Sequence, residues 1–243
     1  MLCLDDYSGF LFDFDGLLVD SERIHYRAYI ELLARRGLEL PWSFEEYLVV
    51  AHAGQYSLRD GVYALHRDLE GKEPDWEKLR AEKREIYLEM IEESPIPLMP
   101  GAADLVTSIV KRGAPVCVVT HSEQVEVEKI RRRYPQLGQI PRWITREEYT
   151  GAKPKPDGYL YAATELGIDL ERAVGFEDSP RGVVALQQAG VGTPIWVAPN
   201  SYGGARDFLQ PHTLHVESLE GIFDLGEKEA VCGRGCGSEP SIA

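Results

Sequence analysis

Between Pro115 and Val197, short apolar runs alternate with helical patterns, and the runs stop at polar residues. Pro115-Val-Cys-Val-Val119 ends at Thr120, and Ala173 to Phe176 runs into Glu177-Asp178. A short strand near Trp143-Ile144 leads to the Lys-Pro-Lys-Pro loop at Lys153 to Pro156, and Ile195-Trp-Val197 closes the series. Helices are expected over Ala102 to Lys111, Glu123 to Arg133, Asp157 to Leu166 and Arg181 to Ala189. Such alternation argues for an α/β fold, a parallel sheet covered by helices on both faces. Gly9-Phe10-Leu11-Phe12, followed at once by Asp13, reads as a buried strand of the same sheet.

The stretch from Ser21 to Glu93 has a different texture. Ile24, Ala28, Leu32 and Leu33 line one helical face, and Gly37 makes a stop. Ser43 with Glu46, and Ser57 with Asp60, read as capping boxes. A long helix is expected after Asp75, with Trp76, Leu79, Ile86, Tyr87, Met90 and Ile91 on one stripe. Pro95, Pro97 and Pro100-Gly101 then break the chain. The expected organisation is a core from residues 1–20 and 96–225, an all-helical insert over 21–95, and a tail over 226–243. That tail is rich in Gly, Glu and Ser and is expected to be disordered.

Charge narrows the classes of partner. Lys plus Arg number 26 against 40 Asp plus Glu, a formal charge of -14. Such a surface repels nucleic acid and offers anionic lipid no attraction, so neither is expected as a partner. No run approaches the roughly 18 apolar residues of a membrane span, and Met1 to Asp6 lacks the pattern of a signal peptide. A soluble, cytoplasmic protein is expected. Cys3, Cys117, Cys232 and Cys236 are expected to be free thiols.

In an open parallel sheet, ligands bind beyond the carboxyl ends of the strands. Those ends carry Asp13-Phe14-Asp15, Thr120-His121-Ser122, Lys153 and Glu177-Asp178. Four carboxylates on one edge are costly unless a cation neutralises them. Hard carboxylate oxygens favour Mg²⁺, and a Lys with a Thr hydroxyl suits a phosphate oxyanion.

These segments resemble the four motifs of the haloacid dehalogenase superfamily. Phe12-Asp-Phe-Asp-Gly-Leu-Leu-Val-Asp-Ser-Glu22 is similar to the first motif, Thr120 to the second, and Lys153 in Ala-Lys-Pro-Lys-Pro-Asp157 to the third. Gly175-Phe-Glu-Asp-Ser179, with Gly182 after it, is similar to the fourth. Order and spacing match over about Ser8 to Val197, and the nearest subgroup is the β-phosphoglucomutase-like phosphatases. The resemblance implies a Rossmann-like core with a helical cap inserted after the first strand. It implies a nucleophilic Asp13, an acid/base Asp15, and phosphate contacts from Thr120, Lys153 and the backbone near His121. It also implies Mg²⁺ held by Asp13, the Asp15 carbonyl, Glu177 and Asp178. Gly16 is expected to turn the chain after the acids, and Ser179-Pro180 to open a helix.

A second Asp two residues after the first favours phosphate-ester chemistry, because an alkoxide leaving group needs a proton. A mutase of this subgroup carries an Arg in the loop after the first cap helices. Ala53-Gly54-Gln55-Tyr56-Ser57 has none. Phosphatase activity on a small phosphorylated metabolite, with sugar phosphates leading, is therefore expected ahead of a mutase or a non-catalytic binder. His25, Gln55 and Arg59 are candidate substrate contacts, His25 being equally readable as a helix-surface residue. His52, His66, His212 and His215 read as surface or core filling, and Arg131-Arg132-Arg133 as a solvated helix end.

Overall fold

The computed structural model describes residues 2–54, 56–204 and 206–223. Gln55, Cys232, Cys236 and the tail over 226–243 lie outside the described residues. Six parallel strands form one sheet: β1 (Gly9–Phe12), β2 (Val116–Val119), β3 (Arg142–Ile144), β4 (Ala173–Glu177), β5 (Thr193–Val197) and β6 (Leu214–Val216). Their spatial order is β3-β2-β1-β4-β5-β6. The alternation of strands and helices is thus realised as an α/β, Rossmann-like sheet.

Alternation along each strand splits the core. Phe10, Phe12, Val116, Val118, Val174 and Phe176 face one side, while Leu11, Cys117, Val119 and Ala173 face the other. On the second side α9 (Asp157–Leu166) and α10 (Pro180–Ala189) cover the sheet through Tyr159, Ala162, Ala185 and Leu186. The approach is close at Gly175, where a Cβ would stand 2.4 Å from Leu186 Cδ2. On the first side lies α6 (Ala102–Lys111), which buries Leu105, Val106 and Ile109. Beyond β2 come α7 (Gln124–Arg131) and the short α8 (Pro135–Gly138). Cys117, inside β2, has its thiol pushed up to about 12 by burial. It and the exposed Cys3 are free, as expected.

Between β1 and α6 the described residues form helices and no strand: α1 (Glu22–Ala34), α2 (Phe44–Ala53), α3 (Ser57–Leu65), α4 (Arg67–Lys72) and α5 (Trp76–Glu93). α1 packs along α5, with Tyr29 stacked on Trp76. Two crossings join this block to the sheet, and they touch. Asp20 N–H donates to the Pro97 carbonyl at 2.9 Å and Met99 N–H to Leu18 at 3.0 Å. No described helix is long and apolar enough to cross a membrane.

Caps decide several boundaries. Ser43 accepts from Glu46 N–H at 3.2 Å while Glu46 accepts from Ser43 N–H at 2.8 Å, the reciprocal arrangement that starts α2. Ser43→Ala removes one of these bonds and is expected to cost about 1 kcal/mol. Thermal denaturation should show a fall of about 2–4 °C. The expected second box is absent. Tyr56, not Ser57, occupies the N-cap of α3. The Ser57 hydroxyl instead donates to the Val50 carbonyl at 2.5 Å and accepts from Gly54 N–H at 3.2 Å, which closes the end of α2.

The basic run after α7 is also more than a solvated end. Arg133 donates to the carbonyls of Ile91 and Ser94, satisfying the last turn of α5. β6 escaped the sequence reading because only three half-exposed residues form it. Its His215 stacks on Trp196 with centroids 4.5 Å apart.

Candidate active site

The register of the central strands brings the polar strand ends to one level. Phe12 pairs with Val118 on one side and Phe176 on the other, so Asp13, Thr120 and Glu177 emerge together. Asp13 is 7% exposed. Lys153, from the loop after β3, places its ammonium 2.5 Å from Asp13 Oδ1 and 2.6 Å from Glu177 Oε1. The same ammonium donates to the Val119 carbonyl at 2.9 Å. It is held charged: burial opposes the charge, but Asp13 and Glu177 outweigh it and push the pKa upward. Asp13 moves up to about 7, raised first by burial and then by Glu177, with Lys153 pulling the other way.

Asp15 lies in a different network. Burial would raise it, but contacts with His25, Ser122 and Ser21 prevail and hold it down at about 2. Ser21 donates to Oδ1 at 2.6 Å, and Ser122 donates to Oδ2 at 2.5 Å. Nε2 of His25 stands 3.7 Å from Oδ1. Thr120 Oγ1 is 3.4 Å from Oδ2 and accepts from Ser122 N–H at 2.9 Å. The chain reverses between the two acids and α1 through Gly16, at φ +76°, where a Cβ would come 2.2 Å from Asp178 Oδ2. Both the conformation and the space demand glycine.

Asp13, Glu177 and Asp178 bring carboxylate oxygens within 4.8 Å of one another. Asp178 is pushed well above the usual carboxylate range, by burial first and then by Asp13, Glu22 and Glu177. Three buried acids share one ammonium, so the cluster carries an uncompensated charge that a divalent cation would neutralise. The donors are all hard oxygens, and the set fits Mg²⁺. The Asp15 side chain is not in this cluster; it is turned toward Ser21, Ser122 and His25.

His121, the predicted phosphate contact, uses its ring differently. Nε2 accepts from Lys153 N–H at 2.7 Å, and burial with Arg181 and Lys153 nearby keeps the ring well below its ordinary pKa. The ring therefore fixes the backbone that carries the lysine. Glu177 is fully buried, touching Lys153 and the Tyr159 hydroxyl. Ser179 caps α10 by accepting from Gly182 N–H at 3.2 Å, with Pro180 in its first turn.

A cavity of about 500 Å³ opens over these groups. Asp13, Asp15, Thr120, His121, Lys153 and Asp178 line its floor. His25 and Arg59 line it from the helical side. Arg59 sits at the rim, paired with Asp60 at 2.8 Å and lying over the Tyr56 ring.

Other lining residues were not anticipated. Lys83 contacts His25 Nδ1, and burial lowers its ammonium to about 8. It occupies the apolar stripe of α5 between Leu79 and Ile86, and a lysine there was the available signal. His52, read as surface or core filling, is 4% exposed and turns Nε2 toward Glu22 and Asp178 at the cavity wall. Ser122 also lines the cavity, and Ser21, fully buried against Asp15, lies inside the first motif; the motif pattern assigns neither a role.

Comparison with known proteins identifies the family. The family model for haloacid dehalogenase-like hydrolases matches residues 7–190. Hexitol phosphatase A of Escherichia coli is 34% identical over 184 residues, covering 75% of this chain and 79% of that protein. Protein CbbY of Rhodobacter capsulatus is 29% identical over 209 residues, covering 84% of this chain and 90% of that one. The crystal structure of CbbY from Rhodobacter sphaeroides in complex with phosphate superposes with a TM-score of 0.72 at 27% identity, covering 89% and 96% of the two chains. With its strand-end acids, lysine and threonine gathered on one sheet edge, the chain belongs to the haloacid dehalogenase-like hydrolase family.

Proposed function

We propose that the chain is a Mg²⁺-dependent phosphatase that hydrolyses a small phosphomonoester, of the sugar or polyol phosphate class, through a phosphorylated Asp13. The observation that carries this reading is the Lys153 ammonium 2.5 Å from Asp13, with the Thr120 hydroxyl and Asp15 on the same edge. Two relatives support the substrate class: hexitol phosphatase A, and the CbbY variant crystallised with xylulose-(1,5)bisphosphate.

An oxygen of Asp13 attacks phosphorus, forming a carboxyl–phosphate bond as the ester P–O bond breaks. Lys153, Thr120 and backbone N–H groups near His121 hold the phosphoryl oxygens. Asp15, anionic in its resting network, takes up a proton from solvent as the phosphoryl charge arrives beside it. It donates that proton to the leaving alkoxide, then takes one from the water that cleaves the phospho-aspartate. Asp13, Glu177 and Asp178, with the Asp15 carbonyl, would hold Mg²⁺. When bound, the ion offsets the charge that develops on the phosphoryl group.

In this reading residues 21–95 are a cap domain on the 1–20 and 96–225 core. The paired crossings at Leu18 to Asp20 and Pro97 to Met99 are its hinge, and closure excludes water from the cavity. Hydrolysis is favoured over transfer between hydroxyls because Arg59, the arginine nearest the mutase position, is engaged by Asp60 at the rim. Asp15 is superfluous in a protein that only binds phosphate. We place the enzyme in the cytoplasm, acting on a free metabolite, with no nucleic-acid or membrane partner.

A phosphate-release screen over sugar and polyol phosphates tests the proposal. Turnover should fall to background with EDTA and return with Mg²⁺. Release that ignores EDTA, or no release from any phosphomonoester at saturating Mg²⁺, would sink it.

A further inference from the structure

Glu22, His52 and Asp178 meet on the helical side of the cavity, beside the Asp13, Lys153 and Glu177 cluster. Nε2 of His52 lies 3.8 Å from Asp178 Oδ2 and 3.9 Å from Glu22 Oε1. His52 is 4% exposed and belongs to α2, so a side chain from the helical block reaches the carboxyl end of β4. Neither separation is a hydrogen bond. Nδ1, fully buried, has no partner. Packing holds the ring, including stacking on Tyr202 with centroids 6.4 Å apart.

Buried imidazoles are ordinarily satisfied by hydrogen bonds. If Nε2 carries a proton, it should close to within about 3.2 Å of one of the two oxygens. If it carries the lone pair, three electron-rich atoms face one another. A cation in the middle satisfies all three. The three donor atoms, 3.8 and 3.9 Å apart about Nε2 and all within 4.8 Å, stand somewhat wider than ligands around a bound ion, so an ion would draw them together by small side-chain shifts.

The set differs in chemistry from its neighbour. Asp13, Glu177 and Asp178 offer oxygen alone, which suits Mg²⁺. An imidazole in the set shifts preference toward zinc and the later first-row transition ions. We propose that Glu22, His52 and Asp178 form a second divalent-cation site, selective for a transition ion, with Asp178 shared between the two sites. Its ligands come from α1, α2 and the end of β4, so an ion there ties the helical block to the sheet.

Pulsed electron paramagnetic resonance of Mn²⁺ added to the Mg²⁺-saturated protein tests the assignment. The wild type should show coupling to a directly bound imidazole nitrogen, and His52→Gln should lose it. Co²⁺ titration followed by visible absorption and calorimetry should show the affinity of one equivalent falling at least about tenfold in His52→Gln. Glu22→Gln, which leaves the imidazole in place, should weaken the same equivalent and guards against a misfolded His52 variant. Circular dichroism checks the fold of each. Absence of nitrogen coupling in the wild type, or Co²⁺ affinity unchanged in either variant, would overturn the site. Mg²⁺-dependent phosphate release measured on the wild-type sample keeps failure here separate from failure of the phosphatase reading.

Discussion

Asp13→Asn is expected to abolish turnover while leaving the protein folded. The amide preserves the shape of the carboxylate but cannot form the carboxyl–phosphate bond, so the covalent route closes. Loss of a nucleophile in covalent catalysis costs on the order of 10⁵-fold or more in rate. Stability should move the other way from a typical core substitution. Asp13 is one of three buried carboxylates around a single ammonium, and burial first, then Glu177, already push it up to about 7. Removing its charge relieves that burial cost and the repulsion from Glu177, while Lys153 keeps Glu177 at 2.6 Å. The melting temperature should hold or rise, with any loss under about 1 kcal/mol. Phosphate release and acid-quench trapping of the phosphoenzyme check the chemistry, and calorimetry checks the fold. A variant that still turns over near the wild-type rate, or that accumulates acid-stable aspartyl phosphate elsewhere, would remove Asp13 from its role.

The parts of this site that could be read from the chain are those tied to strand ends. Gly9–Phe12 and Ala173–Glu177 are buried over their whole length, so their apolar runs stop where the sheet stops, and the acids that follow must lie on its edge. Helices with strong stripes, such as Ala102–Lys111 and Asp157–Leu166, have the bounds that periodicity predicts. The failures share a cause: they depend on contacts between distant segments. Ser57 has the spacing of a cap, but its hydroxyl is taken by the preceding helix end. His52 has no local pattern that marks it; only the packing of α2 near α10 brings it to Asp178. Arg133 becomes a clamp for α5 only because the two helices end side by side. Lys83 is intermediate, since its place in an apolar stripe is visible but its partner His25 is not.

Lys153→Met should unfold the protein more readily and silence it, and a compensating change should separate the two effects. The ammonium is buried, with Asp13 at 2.5 Å and Glu177 at 2.6 Å. Methionine matches the length of the stem but leaves two carboxylates facing each other out of water. Removing one partner of a buried ion pair costs about 3–5 kcal/mol, which for a chain of this size lowers the melting temperature by roughly 10 °C. Most of that cost is the stranded charge on Glu177, because Glu177 is fully buried while Asp13 faces the cavity. Lys153→Met combined with Glu177→Gln should therefore recover a large part of the stability, with a coupling energy above about 1 kcal/mol. It should recover none of the activity, because the phosphoryl oxygens still lack their ammonium. Chemical denaturation of the wild type, both single variants and the double variant measures the cycle. Additive losses would mean that Lys153 and Glu177 do not share charge in the folded protein. Activity restored in the double variant would mean that the lysine serves only to hold Glu177 and never meets the phosphate.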